Sequence, residues 1–254
     1  MRKVRDDLRV PDAKADLYLL GLGIGGFDQR SVEADAILRN AAVVLHLTAF
    51  DKELREICHG RVEDLSTIYF SGTDPAEIYG ALADQVAQTA IDNLVLGHTC
   101  FLNYGHPLFL VDTSWMLLDT PGLRVKAVAA TSFLDQLICD LGYRFDFGAQ
   151  IYEANWFLRT TPRLDPTFPL ILSQVGHLNS ERIEVRDRKL EWLSPLYDLL
   201  ARTFPPERRC DLIFSSYRSD MAPQIVSSSI RDIQTMTSSV HSGTTLLVHG
   251  SRSK

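Results

Sequence analysis

Long apolar runs are missing from this 254-residue chain. No stretch approaches the roughly 20 apolar residues of a bilayer-spanning helix, and the charged amino terminus lacks the apolar centre of a signal peptide. Neither membrane association nor export is expected. Cysteine is scarce as well: Cys58, Cys100, Cys139 and Cys210 are widely spaced, with no pair at the short interval of a zinc or redox motif. The seven histidines show no ligand spacing either, so no metal site is expected, and the thiols are expected to be reduced in a cytoplasmic compartment. Positive charge is also in short supply, with 26 Lys and Arg against 32 Asp and Glu and a net charge of -6. That balance leaves no basic stripe to neutralise a nucleic-acid backbone. The segment Arg182–Lys189 alternates with Glu184, Asp187 and Glu191 and reads as a solvated helix face.

What is present suits a folded α/β protein. Hydrophobic residues make up 45% and charged residues 23%, an ordinary globular balance that supports a sizeable core. The most informative stretch is Cys100–Leu110, CFLNYGHPLFL, an apolar strand that stops at Tyr104-Gly105-His106-Pro107. Glycine and proline forbid a continued ladder there, so a loop is set at a strand's carboxyl end, where open α/β sheets bind small ligands. An ordinary strand-to-helix turn would leave the same trace.

The chain in order repeats strand, turn and helix, the pattern of a parallel sheet. Residues 1–16 are polar and read as an arm. The strand Leu17–Leu20 runs into Gly21-Leu-Gly-Ile-Gly-Gly26, which formally satisfies the dinucleotide motif G-x-G-x-x-G. The following helix, with an expected N-cap at Ser31, begins too late for that motif. A strand at Ala42–Leu45, polar stretches at Asp51–His59 and Glu63–Phe70, and a turn at Ser71–Pro75 come next. Asp74 and Pro75 suit the N-cap and first position of a helix through Asn93. Tyr69 and Tyr79 flank that turn, and packing alone would account for either. A short helix at Thr113–Leu118, a strand at Leu123–Val128 and a helix at Phe133–Leu141 closed by Gly142 follow. Pro162, Pro166 and Pro169 then mark a change of texture, with a domain changeover near residues 131–160. Beyond it we expect strands at Leu170–Val175, Cys210–Phe214, Ser227–Ile233 and Gly243–Val248, and a helix at Lys189–Phe204. The expected division is an arm at 1–16, an N-terminal α/β lobe at 17–145 and a strand-rich C-terminal α/β lobe at 146–254.

Taken together, the strand with GLGIG, the run SVEADAILRNAAVVLHL, NYGHPLFL, VAATSFLDQLICDLG and the final TTLLV strand stand in an order and spacing that resembles the tetrapyrrole methylase superfamily of S-adenosylmethionine-dependent (class III) methyltransferases. The resemblance covers residues 17–248. It implies two α/β lobes with the methyl donor, S-adenosylmethionine, in the cleft between them and S-adenosylhomocysteine as product. By motif, Gly21 and Gly23 match the first loop, and Tyr104, Gly105, His106, Pro107 and Phe109 the loop that wraps the donor. Thr131 and Ser132 match a small hydroxyl pair, Gln174, Val175 and Gly176 a second-lobe strand end, and Thr244, Thr245 and Leu246 the last strand. Within the superfamily, His106 and the segment Gln150–Ala154 most resemble the borosin peptide α-N-methyltransferases, which methylate backbone amides of a ribosomal precursor peptide. That likeness implies catalytic roles for Tyr69 and Tyr79. It also implies an arginine before the second tyrosine, where this chain has Asp74-Pro-Ala-Glu-Ile78, so either another basic residue such as Arg159 or Arg30 serves or the chemistry is not amide N-methylation. With the sequence ending at Lys254, the peptide is expected to be a separate molecule, and the resemblance implies a homodimer. A small-molecule tetrapyrrole or corrinoid methyltransferase, and a donor-binding module without turnover, are the alternatives.

Overall fold

A computed structural model of the protein describes residues 14–251 apart from Thr73, residues 181–187 and Leu190. The expected arm therefore lies almost entirely outside the described residues, as does most of the solvated face expected at Arg182–Lys189.

The first half forms a five-stranded, all-parallel sheet in the order β3-β2-β4-β1-β5. Its strands are β1 (Leu17–Gly21), β2 (Val43–His46), β3 (Arg61–Asp64), β4 (Thr99–Asn103) and β5 (Val125–Ala127). Alternate side chains enter two cores, because successive residues of a strand point to opposite faces. Leu17, Leu19, Val43, Leu45 and Phe101 pack under α4 (Pro75–Asp92) and α5 (Asp112–Leu118). Leu20, Val44, Cys100 and Leu102 pack under α1 (Val32–Arg39) and α2 (Asp51–Ile57). Burial on both faces explains why these strands read as continuous apolar runs.

Helix starts follow the capping chemistry of the sequence. Ser31 accepts from the Ala34 amide at 3.0 Å, and Asp74 accepts from the Ala76 amide at 2.9 Å with Pro75 at the first helical position. Ser132 and Asp135 form a capping box that starts α6 (Phe133–Leu141), and Gly142 ends it in the left-handed conformation, φ 58°.

The second sheet is mixed, in the order β6-β7-β10-β8-β9. Its strands are β6 (Gln150–Glu153), β7 (Leu170–Ser173), β8 (Arg209–Phe214), β9 (Gln224–Ser229) and β10 (Thr245–Val248), with only β6 and β7 parallel. One face packs on α7 (Ala154–Thr160) and α8 (Ser194–Leu200) through Phe157, Leu172, Leu196, Leu212 and Leu246. The other packs on α6, where Leu137 meets Ile171, Ile213 and Leu247. A helix that follows a strand of the first sheet thus covers the second. Asp211, buried in β8, is satisfied by His249 at 2.6 Å and Arg209 at 3.0 Å. Burial alone would raise its pKa, but hydrogen bonds from His249, Ser227 and Arg209 outweigh that and hold it at about 2.

Several expected elements differ. Glu63–Phe70 divides into the end of edge strand β3, whose ends are charged, and the short helix α3 (Ser66–Tyr69). The long helix expected at Lys189–Phe204 shrinks to α8, with Pro195 in its first turn. Leu170–Val175 is a strand only to Ser173, because Gln174 turns left-handed at φ 57°. Ser227–Ile233 leaves the sheet after Ser229 and becomes a 3-10 helix, Ile230–Ser239, whose Ile230, Ile233 and Met236 enter the core.

Candidate active site

β1 and β4 are neighbours, yet the chain leaves β1 toward α1 on one face and leaves β4 toward α5 on the other. This is a topological switch point, the place in an open parallel sheet where a crevice forms beyond the carboxyl ends. The two exit loops meet there. Gly105 donates its amide to the Gly23 carbonyl at 2.9 Å, and a Cβ on Gly21 would sit 1.9 Å from the Gly105 oxygen. Gly23 has φ 76°, and a Cβ on it would lie 2.5 Å from the Thr131 hydroxyl. Gly21, Gly23, Gly105 and Thr131 therefore form one close-packed group. Asn103, the last residue of β4, is buried beside it with its amide nitrogen unpartnered.

The remaining first-half candidates are braced by local contacts. The His106 ring accepts the Leu108 amide at 3.2 Å, Pro107 follows it in the turn, and Phe109 stacks on Phe133 of α6 at 5.3 Å. Tyr104 accepts the Ala49 amide at 2.7 Å. The Ser132 hydroxyl is committed to its cap, donating to Asp135 at 2.7 Å and accepting from the Leu134 amide at 3.2 Å. In the second half Gln174, Val175 and Gly176 turn at the end of β7. The Val175 amide donates to the Thr244 carbonyl at 3.1 Å, and a Cβ on Gly176 would sit 2.1 Å from the His241 oxygen. Thr244 and Thr245 are buried at the same sheet end. Leu246 lies in the core with strands on both sides, so it backs this region rather than lining it.

A cavity of about 950 Å³ opens between the two halves. Asp74, Pro75, Tyr79, Leu110 and Asp112 line it from the first, and Glu153, Asn155, Trp156, Arg159, Gln174 and Ser180 from the second. Tyr79 and Gln174 are the sequence-derived site residues on its wall; the glycine loops, Thr131, Ser132 and the Thr244–Leu246 strand are not. Leu110 and Gln174 both have positive φ, 60° and 57°. Two strained non-glycine residues on one cavity wall are typical of a functional site.

Tyr69 and Tyr79 pack side by side against the same first-lobe core. Burial, reinforced by Tyr79, pushes the Tyr69 phenol well up. Burial and the charge of Asp112 push Tyr79 up too, against a smaller opposing effect of neighbouring Tyr69. Both are therefore neutral hydrogen-bonding groups at physiological pH. Of the two arginines considered from sequence, Arg30 is committed elsewhere, bonded to Asp35 at 2.8 Å and to the Phe27 carbonyl at 2.7 Å and stacked on the Phe27 ring. Arg159 is on the cavity wall across from Tyr79, on the same face of α7 as Trp156, which stacks on Tyr152 at 5.3 Å. Asp112, Glu153 and Asn155 were missed by sequence reasoning. Only Glu153 left a trace, as an acceptor immediately ahead of an apolar helical run.

These features suit S-adenosylmethionine. Glycine backbones packed at a switch point and an unpartnered buried amide at Asn103 fit a nucleoside-sized donor beyond the strand ends. A sequence profile of tetrapyrrole (corrin/porphyrin) methylases matches residues 16–153. The chain belongs to the tetrapyrrole methylase family. This is a family of S-adenosylmethionine-dependent methyltransferases, so the reaction class, the donor and the two-lobed α/β fold expected from the sequence all hold. The fold matches uroporphyrin-III-C-methyltransferase from Thermus thermophilus with a TM-score of 0.66 at 19% identity, over 92% of this chain and 91% of that one. It matches a cobalt precorrin-4 methyltransferase of cobalamin biosynthesis with a TM-score of 0.65 at 12% identity, over 92% and 94%. Among curated proteins, a methyltransferase/ribosomally synthesized type II borosin cyclic peptide precursor from Phlebiopsis gigantea is 25% identical over 201 residues, 75% of this chain. The chain spans about a third of that relative's length, 34%.

Proposed function

We propose that this tetrapyrrole methylase relative methylates backbone amide nitrogens of a separate peptide, with the acceptor in the cavity between the lobes. The carrying observation is the charge of the wall. Among the described lining residues three carboxylates, Asp74, Asp112 and Glu153, face one guanidinium, Arg159. A tetrapyrrole acid, itself rich in carboxylates, needs several arginines in bidentate positions. A neutral peptide does not. Trp156 adds an aromatic surface, 44% exposed, of the kind that holds peptide side chains.

S-adenosylmethionine supplies an electrophilic methyl group on a sulfonium. Gly21, Gly23, Tyr104, Gly105, His106, Pro107, Phe109, Thr131, Ser132, Gln174, Val175, Gly176, Thr244 and Thr245 would hold it, chiefly through main-chain groups at strand ends, with Leu246 as backing. An amide nitrogen is a poor nucleophile because its lone pair is delocalised into the carbonyl, so the site must polarise that carbonyl and remove the N–H proton. In this reading Arg159 donates to the acceptor carbonyl, drawing charge onto its oxygen. Tyr69, packed on the same core, backs Tyr79, whose hydroxyl meets the acceptor N–H. The departing proton passes by way of Tyr79 toward Asp112, and each proton lost from nitrogen balances one methyl gained.

The test is intact-mass analysis of candidate peptides incubated with enzyme and donor. Steps of +14 Da (CH₂) with fragments placing methyls on backbone nitrogen are expected, and Tyr79→Phe should slow them by about 10²–10⁴-fold with donor affinity unchanged. Turnover of a tetrapyrrole with none of the peptides would instead establish the small-molecule alternative. The proposed assembly is a cytoplasmic homodimer. Light scattering at micromolar protein should give twice the chain mass, and a monomer would rule that assembly out.

A further inference from the structure

The loop that follows β8, residues 215–223, reaches back from the second lobe to the first. Two sets of contacts make that crossing. The first is a chain of hydrogen bonds that runs in from both ends to one carboxylate. The Gly25 amide donates to Gln29 Oε1 at 2.7 Å, and Gln29 Nε2 donates to Gln136 Oε1 at 2.6 Å. Gln136 Nε2 then donates to Asp140 Oδ1 at 2.7 Å, while Ser215 Oγ donates to Asp140 Oδ2 at 2.5 Å. Donors from both ends converge on the Asp140 carboxylate, so α6, sandwiched between the sheets, relays the position of Ser215 to the glycine loop. The second set is aromatic. Tyr217 lies 6.2 Å from Tyr104 and 6.4 Å from Phe50, ring centre to ring centre, and Phe50 in turn meets Phe27 at 5.5 Å. A Cβ on Gly26 would lie 3.2 Å from the Ser219 nitrogen, so the loop passes directly over the glycine turn.

We propose that Gln136 is a positioning residue for methyl transfer: the chain Gly25–Gln29–Gln136–Asp140–Ser215, with Tyr217 seated on Tyr104 and Phe50, couples the second-lobe loop to the Gly21–Gly26 and Tyr104–Pro107 loops and holds them in the donor-binding arrangement. The proposal rests on the reading above that those loops border the donor. Neither glutamine is replaceable by an acid, because each must accept at one end and donate at the other. A carboxylate at 136 would confront Asp140 with no proton between them, and the part-buried chain would be broken at that link.

The experiment uses three variants of the full chain: Gln136→Glu, Gln136→Leu and the double variant Gln136→Glu/Asp140→Asn. In the double variant the side-chain amide introduced at position 140 can donate to the carboxylate introduced at position 136 and accept from Ser215, so the chain is rebuilt with donor and acceptor exchanged between the two positions. Binding of S-adenosylhomocysteine is measured by calorimetry, and amide hydrogen exchange is followed across residues 21–29. Gln136→Glu and Gln136→Leu should each weaken binding by about threefold to tenfold and speed exchange in that segment, the size expected when a part-buried hydrogen bond is lost. The double variant should recover both. Wild-type behaviour in Gln136→Glu would overturn the proposal, and so would a double variant no better than its parent, which would reduce Gln136 to packing. If Gln136→Glu does not fold, Tyr217→Ala gives the same two readouts from the aromatic side, and unchanged exchange there would also overturn it. Failure of the wild-type protein to bind S-adenosylhomocysteine would sink the donor-site reading instead, while exchange across 21–29 would still decide whether the chain holds the loop.

Discussion

The loops proposed to hold the donor and the helices that wall the cavity proposed for the acceptor are built on different principles. At the loops, glycine backbones are pressed against fixed neighbours: Gly21 against the Gly105 carbonyl, Gly23 against the Thr131 hydroxyl and Gly176 against the His241 carbonyl, with ideal Cβ positions 1.9, 2.5 and 2.1 Å from the opposing atoms. At the helices, side chains do the holding. α4 and α7 each begin at a capping carboxylate, Asp74 on the Ala76 amide and Glu153 on the Asn155 and Trp156 amides, and both acids also line the cavity. The donor side is thus fixed by steric fit, which admits almost no substitution. The acceptor side is fixed by caps and hydrogen bonds, which can be exchanged at modest cost while the fold persists. A family that keeps one donor and varies its acceptors needs that division.

The largest test of this contrast is at Gly21. A Cβ there would meet a main-chain carbonyl and the Ala130 side chain at 2.9 Å, neither of which can move without parting β1 from the β4 exit. Gly21→Ala should cost about 3 kcal/mol or more, at the upper end of overpacking penalties, and abolish donor binding. Gly80→Ala is the control. It lies in α4 beside Tyr79 with nothing within 4 Å of its Cβ position, and it should stabilise the protein by about 0.5–1 kcal/mol through helix propensity. Denaturant unfolding of both variants reads the difference directly, and equal effects would dissolve the contrast.

How much of this was legible in the sequence follows the same line. The first lobe was read almost element by element, because its strands are buried on both faces and its helices carry their own caps at Ser31, Asp74 and Ser132. The second lobe was legible only in part: β7, β8, β10 and a longer version of α8 are expected from the sequence, β6 and α7 are not. β6 and α7 together span eleven residues, Gln150–Thr160, too few for either period to declare itself beside the proline cluster. The 3-10 segment Ile230–Ser239 is specified by three core contacts rather than by propensity, so it read as strand. The glycine and hydroxyl candidates were visible as motifs. Asp112, Glu153 and Arg159 come from elements in different halves of the chain, and only the fold assembles them around Tyr79. The direction of the tyrosine pKa shifts was equally out of reach, since it depends on burial and on Asp112.

The smallest expected effect lies on the other side of the contrast. Glu153 Oε1 accepts from the Asn155 amide at 2.9 Å and Oε2 from the Trp156 amide at 2.6 Å, so its removal leaves two helix-end donors of α7 unpaired but accessible to water. Glu153→Ala should therefore cost only about 1 kcal/mol, the usual value of a helix N-cap. Its functional consequence should be selective. α7 carries Trp156 and Arg159, so loosening its first turn should raise the acceptor KM several-fold, while S-adenosylhomocysteine affinity, set by the glycine loops, stays at the wild-type value. Glu153→Gln keeps one accepting oxygen and should fall between the two. Calorimetry of the donor product alongside acceptor kinetics separates the cases. Should Glu153→Ala weaken donor binding as much as it weakens the acceptor, the two walls are not independent, and the interlobe chain through Gln136 would have to extend to α7 as well.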